Sequence, residues 1–168
     1  MSEEKSSVPL IKRWEVRGEP FLSRPWQEGD ISTLATIDAQ IEYTPWSKNQ
    51  FKSAYENPAV TGEVITTAAG EVVAYALWLN CVDVYELLTI GVHPEYRRRG
   101  LARELLTHRQ SVLKADEDCE SIFLEVRESN EGARALYTAT GFEEVGLRKH
   151  YYATVHGFEH AVIMKWVA

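Results

Sequence analysis

The sequence predicts an α+β fold of about seven strands and about four helices, and three stretches carry that prediction. The first, Tyr85 to Leu113, is an apolar strand that turns through basic residues and Gly100 into a long amphipathic helix. In the second, two strand-like runs, Val60 to Ala68 and Glu71 to Leu79, flank an Ala69-Gly70 turn and read as an antiparallel hairpin. The third, Ser121 to Trp166, reads as strand, helix and two closing strands. With the residues ahead of them, the order is strand, two helices, three strands, helix, strand, helix, two strands.

Taken in order, Met1 to Pro20 is polar and mixed in charge, closes with Gly18 and Pro20, and is expected to be a flexible extension preceding a domain over 21–168. Phe21 to Trp26 forms a first strand. Asp30 then caps a helix whose apolar residues Ile31, Leu34, Ile37 and Ile41 follow one face. Glu42 to Ser47 breaks the helix at Pro45, Ser47 caps a second short helix through about Glu56, and Trp46 is left on the interhelical loop. After the hairpin, Leu87, Leu88, Ile90 and Val92 make a dense β-prone run that His93-Pro94 stops. Gly91, inside that run, marks a bulge or a close backbone approach.

The long helix carries Ala102, Leu105, Leu106, Val112 and Leu113 at helical spacing. The acidic run Asp116 to Glu120 makes a loop, and Ser121 to Val126 a short strand. Ser129 or Asn130 caps the next helix, striped by Ala133, Leu136, Tyr137 and Thr140 and closed by Gly141. Phe142 to Leu147 and His160 to Trp166 are the last strands, joined by a loop containing Gly157.

A chain of 168 residues with 45% hydrophobic content suits one domain with a substantial core. A net charge of −7 and a pI near 5.3 argue against general affinity for nucleic acid and suit a basic partner. Cys81 and Cys119 lie far apart, without metal-ligand spacing or the density of a secreted disulfide scaffold. The five histidines show no metal-binding pattern, so no metal is expected. The start MSEEKSSVPL lacks an apolar signal core and no apolar run is long enough to span a membrane, so a cytoplasmic protein without membrane contact is expected.

The loop Arg97-Arg98-Arg99-Gly100-Leu101-Ala102 delivers a strand into a helix start, where unpaired N–H groups and the positive end of the helix dipole attract anions. Gly100 lets an anion approach without a Cβ in the way. Arginine is poorly placed at a helix N-terminus, so three of them ask for a negative partner, and a pyrophosphate is the natural guest. A merely solvated helix start, or a nucleic-acid patch, is the bland alternative.

At these residues the chain resembles the GNAT acetyltransferases, whose pyrophosphate loop matches Arg97-x-x-Gly100-x-Ala102, with Ala102 standing where Gly is commoner. LEVRESNEGARALYTATGF (Leu124 to Phe142), Pro45-Trp46-Ser47 and His150 to Tyr152 resemble, within that family, the enzymes that acetylate the N-terminal alanine of a small-subunit ribosomal protein. The similarity runs from about Arg24 to Met164. It implies a mixed, mostly antiparallel sheet in which two core strands splay apart, and acetyl-CoA as cosubstrate.

The same resemblance implies the site. The backbone of Ile90, Gly91 and Val92 pairs with the pantetheine arm, and that of Arg98, Arg99, Gly100, Leu101, Ala102 and Arg103 holds the pyrophosphate. Asn130 contacts the pantetheine arm, a role compatible with helix capping. Loops bearing Trp46 and Tyr151 wall the acceptor groove, and Glu42 and Glu125 there attract a basic acceptor.

Acetyl transfer to an amine needs a base, because an α-amine titrating near ~8 is largely protonated at neutral pH. Glu125, on a strand expected to be flanked by helices, is the candidate; a glutamate exposed at an edge, or one paired with Arg127, is the structural alternative. Tyr137 on the inner stripe of its helix is either core or, as the resemblance implies, the acid that protonates the leaving thiolate. Covalent catalysis by Cys81 or Cys119 is disfavoured because neither has a sequence-local base. A lysine side chain or small amine as acceptor, and acetyl-CoA binding without turnover, are the competing functions. Release of free thiol separates the last from the others.

Overall fold

The computed structural model describes residues 12–115 and 118–168. The strands are β1 (Lys12–Val16), β2 (Glu19–Pro25), β3 (Val60–Thr67), β4 (Val72–Asn80), β5 (Val84–Val92), β6 (Ser121–Arg127), β7 (Glu143–Thr154) and β8 (Gly157–Val167). The helices are α1 (Ile31–Ile41), α2 (Lys48–Glu56), α3 (Leu101–Lys114) and α4 (Glu131–Ala139). Neighbouring strands hydrogen-bond in the order β1-β2-β3-β4-β5-β6-β8-β7. The described residues pack as two compact units. The first comprises residues up to Leu77 with Ile90–Ala102, and the second Trp78–Thr89 with Arg103–Ala168.

In the first unit β2 pairs antiparallel with both β1 and β3, so that Phe21 stands opposite Trp14 on one side and Thr67 on the other. Burying apolar side chains drives this packing. Phe21, Leu34, Ile37, Phe51, Ile65, Tyr75 and Leu77 are all essentially inaccessible, and Phe51 meets Tyr75 edge to face at 6.0 Å. The β3–β4 turn closes where the Thr67 N–H donates to the Glu71 carbonyl at 2.9 Å, with Gly70 at φ +85. Ser47 caps α2 by accepting from the Gln50 N–H at 3.2 Å, while the Gln50 side chain accepts from the Ser47 N–H at 2.8 Å.

Two expectations are corrected in this unit. The part of the presumed extension from Lys12 to Pro20 is a β-hairpin, not a frayed tail; residues 1–11 lie outside the described residues. Trp14 and Val16 alternate with exposed Arg13 and Glu15, and Arg17 and Gly18 both take positive φ (52 and 80), as a two-residue turn of matching twist demands. The strand count is therefore eight among the described residues, not seven. Asp30 does stand at the N-cap of α1, yet its side chain makes no cap bond. It accepts two bonds from the Arg24 guanidinium, at 2.8 and 2.9 Å, and one from the Gln27 N–H at 2.8 Å. A forked charge-assisted pair outcompetes a neutral cap.

In the second unit β5 runs parallel to β6, β6 antiparallel to β8, and β8 antiparallel to β7. The β5–β6 register covers only Val84 to Glu86 against Ser121 to Phe123, although β6 continues to Arg127. Leu105, Leu106, Leu113, Ile122, Leu124, Phe142 and Met164 form the core, and the buried Gln110 side chain of α3 donates to the Thr140 carbonyl at the end of α4 at 2.8 Å. Asp118 to Glu120 form the loop expected after α3; Asp116 and Glu117 of that loop lie outside the described residues.

The last two strands are much longer than their apolar patterns suggested. Val155-His156 turn directly between β7 and β8, so the long loop expected around Gly157 does not exist. β7 ends the strand order and is exposed along most of its length, so no buried face imposes alternation on its sequence. Irregularities between Glu144 and Gly146, and between Arg148 and Tyr152, disturb the period further.

Candidate functional site

In the first unit β5 ends at Val92, and the His93 N–H donates to the Val73 carbonyl at 2.8 Å. The single turn Pro94–Tyr96 follows, its first free N–H, that of Glu95, bound by the His93 ring at 3.1 Å. The chain then enters the predicted anion loop. Arg98 and Gly100 both adopt left-handed backbone, φ 63 and 74, ahead of α3. Alternating backbone hand turns successive N–H groups toward one side, the geometry of an anion-binding concavity, and α3 adds its own unpaired N–H groups and dipole. No atom lies within 4 Å of where a Cβ on Gly100 would sit, so the glycine serves backbone conformation. Leu101 anchors the helix start in the core at 2% exposure.

The arginine triplet is not uniform. The Arg99 guanidinium is hydrogen-bonded to Glu19 of β2 and lies 4.7 Å over the Tyr96 ring. For Arg99 the negative partner is thus supplied inside the chain.

Gly91 of β5 permits a close approach, as its sequence context suggested. A Cβ there would fall 2.5 Å from the Tyr75 hydroxyl oxygen and 2.7 Å from Ile41 Cδ1. That hydroxyl donates to Asp38 of α1, whose other oxygen accepts from the Trp46 N–H at 2.7 Å. Burial pushes the Asp38 carboxyl up, and the bonds from Tyr75 and Trp46 partly oppose the rise. Trp46 is half-buried, 5.2 Å from Phe51, and Glu42 is exposed at the end of α1. Sequence reading passed over Asp38. Its signal was legible, since position 38 falls on the stripe of Ile31 and Leu34 where an apolar residue is expected.

In the second unit Glu125 sits on β6, and its partner is Arg148 of β7, 2.9 Å from Oε1. Arg127 is engaged elsewhere, 3.0 Å from Glu159 and 4.3 Å over the Tyr152 ring. Glu86, on the last paired residue of β5, completes a cluster with Glu125 and Arg148. Burial pushes its carboxyl up, the Glu125 charge adds to the rise, and Arg148 opposes it. A charge interrupting the run Tyr85-Glu86-Leu87-Leu88 was the available signal.

Tyr137 is buried on α4 at 6% exposure, 5.8 Å from Phe142, whose N–H donates to the Tyr137 carbonyl at 2.9 Å. Asn130, not Ser129, caps α4, accepting from the Ala133 N–H at 3.2 Å. Arg103 is exposed on the first turn of α3. Tyr151 corrects an expectation: it lies on strand β7, not on a loop, because β7 and β8 continue their pairing past the Arg148 irregularity. It remains half-exposed, with the Arg148 guanidinium 4.6 Å over its ring. Among the described residues no group of three or more His, Cys, Asp or Glu could hold a metal ion, and no helix is long and apolar enough to cross a membrane.

Each unit therefore collects part of the predicted constellation. The anion loop, Ile90 to Val92, Trp46 and Glu42 belong to the first, and Glu125, Tyr137, Asn130, Arg103 and Tyr151 to the second.

Comparison with known proteins adds an independent finding. A model of the acetyltransferase (GNAT) family matches residues 24–142. The ribosomal protein bS18-alanine N-acetyltransferase of Escherichia coli K12 is 36% identical over 142 residues, spanning 80% of this chain and 94% of that enzyme. The N-alpha-acetyltransferase RimI of Mycobacterium tuberculosis is 33% identical over 140 residues, 80% of this chain and 85% of its own. The crystal structure of the S18-alanine N-acetyltransferase from Escherichia coli superposes with a TM-score of 0.80 at 31% identity, covering 88% of this chain and 93% of that one.

Proposed function

Since the chain belongs to the GNAT acetyltransferase family and is an acetyl-CoA-dependent N-acetyltransferase, we propose that its acceptor is a protein N-terminal α-amine, that of the alanine of a small-subunit ribosomal protein. The observation that carries this reading is the 36% identity to the bS18-alanine enzyme across 94% of that enzyme's length. An acceptor drawn from the ribosome places the reaction in the cytoplasm. The net charge of −7 suits a basic acceptor of this kind.

The backbone N–H groups from Arg98 to Arg103 hold the pyrophosphate, in support of which the loop has left-handed residues at 98 and 100 ahead of a helix start. The backbone of Ile90 to Val92 pairs with the pantetheine amides and offers an N–H to the thioester oxygen, and Asn130 contacts the same arm. Glu125 takes a proton from the α-ammonium group, directly or through water. The amine lone pair then attacks the thioester carbonyl carbon, the C–S bond breaks, and the departing thiolate takes the Tyr137 phenol proton; the nitrogen, still carrying one proton too many after attack, releases it to solvent, and solvent returns the proton from Glu125 to Tyr137. Arg148 occupies Oε1 of Glu125, so Oε2 is assigned to the amine. Trp46, Glu42 and Tyr151 contact the acceptor.

The test is direct. Protein, acetyl-CoA and a peptide with the N-terminus of the ribosomal protein are mixed, free thiol is followed, and the acetylated position is read by mass spectrometry. Thiol release with the acetyl group on the N-terminal nitrogen is expected. Acetylation of lysine side chains or of a polyamine in place of the terminus would transfer the assignment to those acceptors, and absence of thiol release with any amine would remove it.

A further inference from the structure

Asp38 is 1% exposed, its carboxylate held between two donors from different elements. The Trp46 N–H on the α1–α2 loop donates to one oxygen at 2.7 Å, and the hydroxyl of the fully buried Tyr75 on β4 donates to the other. The Tyr75 hydroxyl in turn fills the space a side chain at Gly91 would need. Trp46, Asp38, Tyr75 and Gly91 form one continuous line of contacts inside the first unit.

A buried carboxylate is costly, and here the two bonds only partly offset burial. A leucine would avoid the buried charge but leave the Trp46 N–H and the buried Tyr75 hydroxyl without their acceptor, so the residue is kept for its bonds and not for its packing. What the carboxylate adds is direction. Two acceptor oxygens fix the loop amide and the tyrosine relative to one another, and the tyrosine is wedged against residue 91.

We propose that Asp38 is a positioning residue for acceptor binding, presetting the Trp46 loop relative to the Gly91 segment through Tyr75. The proposal rests on the assignment above of Trp46 to the acceptor and of Ile90 to Val92 to the pantetheine arm. Asp38 touches neither substrate; it acts through the loop.

The test uses Asp38→Leu, Asp38→Asn and Tyr75→Phe in the full chain, with melting temperature recorded for each. Asn can still accept from the Trp46 amide and donate to the Tyr75 oxygen, so it serves as the rescue variant. Asp38→Leu, which removes both bonds, is expected to raise KM for the acceptor peptide about 10-fold, with KM for acetyl-CoA held within about 2-fold. Asp38→Asn should recover acceptor KM to within about 3-fold of the parent chain, and Tyr75→Phe should fall between them. Amide hydrogen exchange at Trp46, which requires no turnover, should quicken at least about 10-fold in Asp38→Leu and remain slow in Asp38→Asn.

An unchanged acceptor KM in folded Asp38→Leu, equal rises in both KM values, or unchanged exchange at Trp46 would each overturn the proposal. If Asp38→Leu does not fold, an acceptor KM in Tyr75→Phe equal to that of the parent chain overturns it. Failure of the parent chain to acetylate any protein terminus would instead refute the acceptor assignment, while the exchange experiment would still decide whether Asp38 holds the loop.

Discussion

The Arg148 guanidinium on β7 lies 2.9 Å from Oε1 of Glu125 on β6. It ties the strand order's terminal strand to the candidate base and also faces Glu86, whose raised carboxyl it holds back from rising further. Removing that positive charge should therefore push Glu86 upward, whereas Glu125→Gln, which removes a negative neighbour, should bring it down. Titrating the Glu86 side-chain carboxyl by NMR in Arg148→Ala and in Glu125→Gln checks both directions. Shifts of the same sign in the two variants would dismiss the cluster.

The direction of the Glu86 shift also sets a pH dependence of stability. A carboxyl raised in the folded state binds its proton more tightly there than in the unfolded chain. The folded state then carries more bound protons, and stability falls as pH rises from the ordinary carboxylate range through the folded-state value. Glu86→Gln removes that ionisation. Its melting temperature should exceed that of the parent chain at pH 7 by more than it does at pH 4. Parallel melting curves across that range would contradict the argument.

Gly91 supplies a steric prediction. In Gly91→Ala the new Cβ must displace the fully buried Tyr75 ring or the half-buried Ile41. Overpacking of this kind costs about 1–3 kcal/mol. Denaturant unfolding should show that loss, and Tyr75→Phe combined with Gly91→Ala should recover part of it by removing the oxygen 2.5 Å from the new methyl. Exact additivity of the two changes would refute the contact.

These contacts explain which parts of the molecule were legible in the sequence. Elements with one face buried against a core announce themselves through periodicity, and so α1, with Ile31, Leu34 and Ile37, and β6, with Ile122, Leu124 and Val126, were placed correctly. β7 gave little signal because its side chains face solvent on both sides. Lys12 to Val16 concealed an inward Trp14 and Val16 among charges. The site divides similarly. The turn at Arg98 to Gly100 needs special backbone and so is written locally, in a glycine and a helix start. The Asp38–Tyr75 bond joins residues 37 positions apart, and the Glu125–Arg148 pair is equally hidden, because Arg127, the arginine near in sequence, is not the one near in space.

The proposed chemistry makes separate predictions for its two groups. Glu125→Gln should lower kcat about 100-fold or more, with the loss partly reversed at alkaline pH, where the amine deprotonates unaided. Tyr137→Phe keeps the ring that packs on Phe142 and removes only the hydroxyl. Its kcat should fall at least about 10-fold while KM for acetyl-CoA stays within about 2-fold. Steady-state kinetics on the two variants check this, and a Tyr137→Phe enzyme with full turnover would eliminate the acid role.

Glu19 stands outside the residues that match the family model and yet bonds to Arg99 in the anion loop. Both side chains are about a third exposed, so the pair contributes little stability, about 0–1 kcal/mol, and Glu19→Gln should leave the melting temperature nearly unchanged. Its effect should fall on the cosubstrate. With the carboxylate neutralised, the Arg99 charge, still held over Tyr96, is no longer offset, and the loop becomes more positive toward an anionic phosphate. KM for acetyl-CoA should then decrease about 2- to 3-fold at low ionic strength. The difference should vanish near 0.5 M salt, where the screening length is only about 4 Å. A rise in KM at low salt would instead mean that Glu19 acts by holding the loop in shape and not by cancelling charge, and Arg99→Gln on the same background distinguishes the two. If charge is what matters, the double variant loses the gain in affinity; if shape is, it repeats the loss.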